Sequence, residues 1–276
     1  MSIKTNCELP LCLMDKNNEL NDYDFVLFHL FESNKQYADY FLNNRQQHPE
    51  RIMILDNSAY EYYIKGETLD IDKFINCILK LKPDYYILPD TLMDRKKTLS
   101  DTIKFMFKMA GKGPINSKPL AVVQGRTVEE MLQCIDIYDS WGIENISIPF
   151  HNSFFVKLGL HAAEDIQYEF METYGTVNDD ILYAAGRVQF MRNYEHILKK
   201  FKYVHILGSH CPFEKIFYKD FNSMDTGYPV KCGIKEIKLG EEKVKPDVII
   251  DDFLESDLDL GVKTCIENNV KKFQKL

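Results

Sequence analysis

Residues 52–60 read Ile52-Met-Ile-Leu-Asp56-Asn-Ser-Ala-Tyr60, an apolar run that stops abruptly on polar side chains. An unbroken apolar run, rather than an alternating one, is what a parallel strand covered on both faces requires. The same form recurs at Phe25–Phe31, Tyr85–Pro89, Leu120–Gln124, Asn145–Pro149 and Tyr203–Gly208. Stretches of helical spacing lie between, at Asn34–Asn44, Asp70–Leu81, Arg95–Ala110, Thr127–Ser140 and Asp179–Phe201. Thr127 and Glu130 have the spacing of a capping box, and Gly142 is placed to end that helix. Gly186 marks a point at which the last helix divides in two.

Strand–helix alternation repeated this often means a parallel sheet, closed or open. No GxGxxG follows the first strand and no GxxxxGK[ST] occurs, so the common nucleotide-binding open sheets lose support. The sequence therefore predicts an α/β chain folded as a single (β/α)8 TIM barrel over residues 1–276. The core spans about 20–235, and 236–276 form a terminal βα unit or appendage. A length of 276 residues suits such a barrel.

Composition narrows the class further. A hydrophobic fraction of 45% supports a sizeable core, and no apolar run reaches the ~20 residues of a membrane span. The start, Met-Ser-Ile-Lys-Thr-Asn, has no signal-peptide core, so a cytoplasmic protein without a membrane partner is expected. The seven cysteines are scattered and include no CxxC pair, which predicts reduced thiols and no metal site. A net charge of −8 excludes a surface coated for nucleic acid but not a local basic patch. Three groups are candidates: Arg95-Lys96-Lys97, Lys199 with Lys200 and Lys202, and Lys271-Lys272; each also reads as a solvated face.

Polar residues gather where the apolar runs stop. Asp56 to Tyr60 follow one run, Asp90 another, and Gln124 a third; Gly208-Ser209-His210 follow a fourth, and Ser223-Met-Asp225-Thr-Gly-Tyr-Pro229 comes later. Strand ends of this kind are where barrel enzymes build their sites. Each residue also has a structural reading. Asp56 and Asn57 could cap the next element, and Asp225-Thr-Gly could shape a turn. Gln124 could satisfy buried polar groups, and Tyr60 could be core. His29, His205 and His210 lack ligand spacing and read as structural.

Four segments, in order, carry a family resemblance. Ile54-Leu-Asp-Asn-Ser-Ala-Tyr60 resembles the Asp-Ser-Gly-Gly-Phe/Tyr strand end of the tRNA-guanine transglycosylases. Ala121-Val-Val-Gln-Gly125 is similar to their Ile-Val-Gln-Gly, and His205-Ile-Leu-Gly-Ser209 to their Tyr-Leu-Met-Gly-Val. Asp225-Thr-Gly-Tyr-Pro229 matches the spacing of their nucleophile segment, Asp-Cys-Val-x-Pro. The resemblance covers roughly residues 50 to 230.

It implies base exchange at C1′ of a guanosine in a nucleic acid. Asp225 would be the nucleophile and Asp56 the general acid and base. Asp90 would read the N1–H and N2 amino group of the base, and Gln124 would donate to its carbonyl. The Ser147–Ile148 backbone would assist, while Tyr60 and Leu207, beside Gly208, would sandwich a flipped-out ring. No metal or cofactor is called for. The partners implied are a nucleic acid and a free 7-deazaguanine base, with a homodimer or partner protein left open.

The chain also departs from the pattern. The family's Gly-Gly is Ser58-Ala59 here, and its Pro-Thr-Arg is Pro229-Val230-Lys231. After Gly233 only Cys265 remains, without the CxC…CxxC…His zinc set of tRNA-acting members. The resemblance thus implies a short, zinc-less, phage-type relative acting on DNA, of the kind bacteriophages carry, ahead of queuosine-type exchange in tRNA. An N-glycoside hydrolase and a non-catalytic nucleic-acid-binding barrel remain as the other readings.

Overall fold

The computed structural model describes residues 2–113, 115–150, 153–175, 178–241 and 257–276. Eight strands form one parallel sheet: β1 Lys4–Cys7, β2 Asp24–Leu27, β3 Met53–Asp56, β4 Tyr85–Ile87, β5 Lys118–Val122, β6 Asn145–Ile148, β7 Tyr203–Ile206 and β8 Ser223–Thr226. Their order, β1-β8-β7-β6-β5-β4-β3-β2, is that of a nearly closed (β/α)8 barrel with its seam between β1 and β2. Within the unit that carries β1, the Asp22 amide donates to Thr5 O at 3.0 Å, and the Asp22 carboxylate accepts from Thr5 N at 2.7 Å. The sheet begins at Lys4, ahead of the stretch the sequence marks as core.

The helices in chain order are α1 Asn17–Leu20, α2 Phe28–Ser33, α3 Lys35–Gln47, α4 Ala59–Lys65, α5 Ile71–Leu81, α6 Arg95–Ala110 and α7 Val128–Ser140. They continue with α8 Phe154–Leu160, α9 Glu164–Tyr174, α10 Asp179–Asn193, α11 Glu195–Leu198 and α12 Tyr228–Ile234, and a C-terminal helix spans Leu260–Lys275. No helix among the described residues is long and apolar enough to cross a membrane. All seven cysteines are free thiols.

Two expectations need correction. The apolar run Phe25–Phe31 is not one strand: β2 ends at Leu27 and α2 begins at Phe28. A short apolar run fits a buried helix as well as a strand. Phe28, His29, Leu30 and Phe31 are all buried, and the Tyr37 hydroxyl accepts from Leu27 N at 3.0 Å where the strand stops. The last helix divides at Tyr194 and not at Gly186, which lies inside α10.

The chain parts into two compact units, Tyr23–Asn152 with Lys199–His205, and Met1–Asp22 with Ser153–Leu198 and Ile206–Leu276. In the first, β2 to β6 pair in parallel and helices α2 to α7 cover them. Asp70 caps α5 by accepting from the Asp72 and Lys73 amides, and Phe74, Ile75, Ile78 and Leu81 supply its buried face. Rings of Phe28, Phe74 and Phe105 continue that packing at 5.0 and 5.8 Å. Thr127 caps α7 through Glu130 N as its spacing predicts, but the Glu130 carboxylate accepts from Arg126 N, one residue earlier than a capping box requires.

In the second unit, β1 pairs with β8, and α8 packs closely on α10. Two glycines allow that approach: a Cβ on Gly186 would fall 1.9 Å from Phe155 O, and one on Gly159 would fall 2.1 Å from Leu182 O. An exposed helical Gly→Ala normally gains about 1 kcal/mol. Here overpacking of about 1–3 kcal/mol outweighs it, so Gly186→Ala is expected to lower the denaturant midpoint. A raised midpoint would contradict the close packing of α8 on α10. The buried Lys215 ties the C-terminal helix to this unit, donating to Phe273 O at 2.8 Å and Gln274 O at 2.7 Å. The tail of 236–276 thus contributes this helix, while residues 242–256 lie outside those described.

Candidate functional site

In the first unit Asn57, Asp90 and Gln124, just past the ends of β3, β4 and β5, form one hydrogen-bonded cluster, with Asp56 next to Asn57 in the chain. β3 delivers Asp56, whose Oδ2 accepts from Ser58 N at 2.7 Å in a tight turn. Asn57 comes next, 1% exposed; its Nδ2 donates to Leu88 O at 2.7 Å and to Asp90 Oδ1 at 2.8 Å. Asp90, three residues past β4, accepts on its other oxygen from Gln124 Nε2 at 2.8 Å. Gln124 is 1% exposed, and its Oε1 accepts from Met93 N at 2.9 Å. The buried amide is therefore satisfied structurally while still holding the carboxylate that the sequence pairs with it.

The backbone at this cluster is strained. Ser58 and Met93 take φ of 58° and 56°, two of the four non-glycine residues with positive φ among those described. Such left-handed residues are uncommon and gather at functional positions. Ser58 is fully buried, and its Oγ stands 3.2 Å from His29 N and 2.9 Å from His29 Nδ1. His29 is thus engaged through both its amide and its ring. The other two histidines also have partners: His205 packs against Phe25 at 5.5 Å, and His210 Nδ1 lies 3.1 Å from Asp180.

Burial pushes the Asp90 carboxyl above its ordinary range, against the Asn57 and Gln124 amides, which pull it down. The folded chain then holds this proton where the unfolded chain, near ~3.9, has lost it. The stabilisation is full below the unfolded value and is lost as pH rises through the folded one. The stability difference between the wild type and Asp90→Asn should therefore shrink as pH rises through and above the carboxylate range, then level. Urea midpoints measured at several pH values test this, and a flat difference would refute it.

The remaining predicted residues of this unit are dispersed. Ser147 and Ile148 on β6 are fully buried; Val123 N donates to Ser147 O at 2.9 Å, and Ser147 Oγ has no hydrogen-bond partner among the described residues. Tyr60, on the first turn of α4, is 43% exposed, which removes the core reading. A cavity of about 520 Å³ opens between α4, α5 and α6, with Asn57 and Asp90 in its lining.

The second unit carries Asp225, the third residue of β8 and 4% exposed. Gly208 N donates to its Oδ1 at 3.2 Å. The turn that follows is organised by Thr226, whose Oγ1 accepts from Tyr228 N at 3.0 Å and donates to Ser209 O at 2.8 Å. The register sets Asn6 of β1 beside Asp225.

Leu207 and Gly208 are held from behind by a group the sequence reading missed. Arg187, fully buried on α10, donates to Leu207 O at 2.6 Å and Gly208 O at 2.7 Å, and pairs with the buried Glu214. The Tyr218 hydroxyl donates to Glu214 Oε2 at 2.7 Å, and the Ser209 hydroxyl donates to Glu214 Oε1. Burial, then the Glu214 charge, push the Tyr218 phenol well up, so it stays the donor. The outcome is a rigid peptide at 207–208 whose N–H positions Asp225 Oδ1.

No family model matches the chain. No curated protein matches it either.

Proposed function

We propose that this chain exchanges guanine for a 7-deazaguanine base in a nucleic acid, with DNA the first polymer to test and tRNA the second. The observation that carries the reading is the Asp90 carboxylate held between Asn57 and Gln124. Each of its oxygens keeps a further lone pair, and the Gln124 amide keeps a second N–H. Two acceptors beside a donor complement the guanine edge, which offers N1–H and the 2-amino group next to O6.

An Asp225 oxygen forms a bond to C1′ as the C1′–N9 bond breaks, and the electron pair leaves on the base. The Asp56 carboxyl gives its proton to that base and, as carboxylate, later takes one from the incoming 7-deazaguanine. The new base then displaces Asp225 from C1′, the two-step course of a retaining glycosidase. The Gly208 N–H on Asp225 Oδ1 helps to orient the attacking carboxylate.

Incubation with labelled guanine and either DNA or tRNA tests the reading. Label retained in one polymer supports it and names the polymer. Release of free guanine without added base makes the protein a hydrolase. Label in neither polymer, with no covalent adduct that Asp225→Ala removes, sinks the reading.

A further inference from the structure

The cavity between α4, α5 and α6, about 520 Å³, extends from the Asp90 cluster along α6. Its lining includes the buried Asn57 together with Asp90, and the exposed Lys97, Lys104 and Lys108. The three lysines lie along one face of α6, Lys97 and Lys104 about two turns apart and Lys104 and Lys108 about one. All three are more than half exposed or nearly so, at 58%, 73% and 50%. Their partners are solvent-exposed or shared: Asp101 serves both Lys97 and Lys104, and Asp72 serves Lys108. Such pairs are weak and exchange readily for a stronger anion.

Two further observations point the same way. Arg95, Lys96 and Lys97 form the first turn of α6, with no acidic residue in that turn. Asp94 caps this turn and Arg95 donates to Gln133, and the turn as a whole adds positive charge next to Lys97. Tyr63 lines the cavity while 62% exposed, the arrangement of a ring on which a base stacks without regard to sequence. Glu67 and Asp101 share the lining, so the attraction resides in the lysine edge rather than in the cavity as a whole. With a net charge of −8, the protein has no general attraction for a polyanion and needs such an edge.

We infer that this cleft binds the single-stranded sugar–phosphate backbone flanking the exchanged nucleotide, with Lys97, Lys104 and Lys108 on its phosphates and Tyr63 under a neighbouring base. The inference rests on the base-exchange reading and adds to it the path of the strand.

The test is fluorescence anisotropy with a labelled single-stranded oligonucleotide containing one guanine, in DNA and RNA versions, across a salt series. Three phosphate contacts predict that Lys97→Gln/Lys104→Gln/Lys108→Gln lowers the slope of log Kd against log salt by about 2. The control, Lys199→Gln/Lys200→Gln/Lys202→Gln, makes the same charge change at the opposite, N-terminal, end of β7 and should leave the slope unchanged. Equal effects in both triple variants, an unchanged slope in the first, or no binding of either oligonucleotide by the wild type would overturn the inference. Binding is read without turnover, so the two ideas separate. Slope loss without label incorporation keeps the cleft and removes base exchange; incorporation with an unchanged slope does the reverse.

Discussion

Asp225→Asn should reduce base exchange by a factor on the order of 10⁴ to 10⁶, the loss expected when a covalent nucleophile is removed. The fold should survive, because the asparagine carbonyl replaces the oxygen that accepts from Gly208 N. Denatured gels after incubation with the polymer should show a protein–nucleic acid adduct for the wild type and none for the variant. An adduct that persists in Asp225→Asn would move the nucleophile elsewhere. A variant that loses thermal stability along with activity would instead give Asp225 a structural role.

The second large effect is on stability. Glu214→Leu leaves the fully buried Arg187 guanidinium without its counter-charge, and also removes the acceptor of the Tyr218 and Ser209 hydroxyls. Breaking a buried pair from one side costs about 3–5 kcal/mol. Replacing both partners, Arg187→Met with Glu214→Leu, should recover a good part of that loss, since no buried charge remains. Urea midpoints of the single and double variants decide the matter. If the double variant is no more stable than Glu214→Leu, the ion pair is not what the loss reports. The double variant still lacks the donors to Leu207 O and Gly208 O, so its exchange rate should fall even where its stability returns.

Some of this was readable in the sequence, for physical reasons that particular elements make plain. β3 to β7 announce themselves because both their faces are covered by apolar neighbours, which makes each a near-continuous apolar run. β1 and β8 do not: they read Lys4-Thr-Asn-Cys7 and Ser223-Met-Asp-Thr226, and they bury Thr5, Asn6, Ser223 and Asp225 almost completely. Strands in which polar residues outnumber apolar ones lose the apolar signature that reveals a strand, whereas β6 keeps it in Ile146 and Ile148 despite burying Asn145 and Ser147. β8 was visible only through its resemblance to a motif, and β1 not at all.

The cluster around Asp90 was partly legible, since Asp90 and Gln124 were each singled out as strand-end residues. Their direct bond, and the Asn57 amide that also holds Asp90, were not, because these contacts join residues 34 and 33 positions apart. Arg187 was hidden for the opposite reason. An arginine within a helix reads as a solvent-facing residue, and nothing in the spacing ties it to Glu214, 27 positions later. The adjoining Gly186 was a true signal misread: it marks close helix packing rather than a break in α10.

Ser58 carries one more consequence. Where the transglycosylase motif has glycine, this chain has a β-carbon on a left-handed backbone, a conformation that costs an ordinary residue about 1–2 kcal/mol. The hydroxyl gained there sits against both the amide and the ring of His29, and so fastens the end of β3 to the first turn of α2. The exchange trades an unstrained hinge for a latch. The strand end that bears Asp56 is thereby held in a fixed bearing that a glycine at position 58, having no hydroxyl, would not supply.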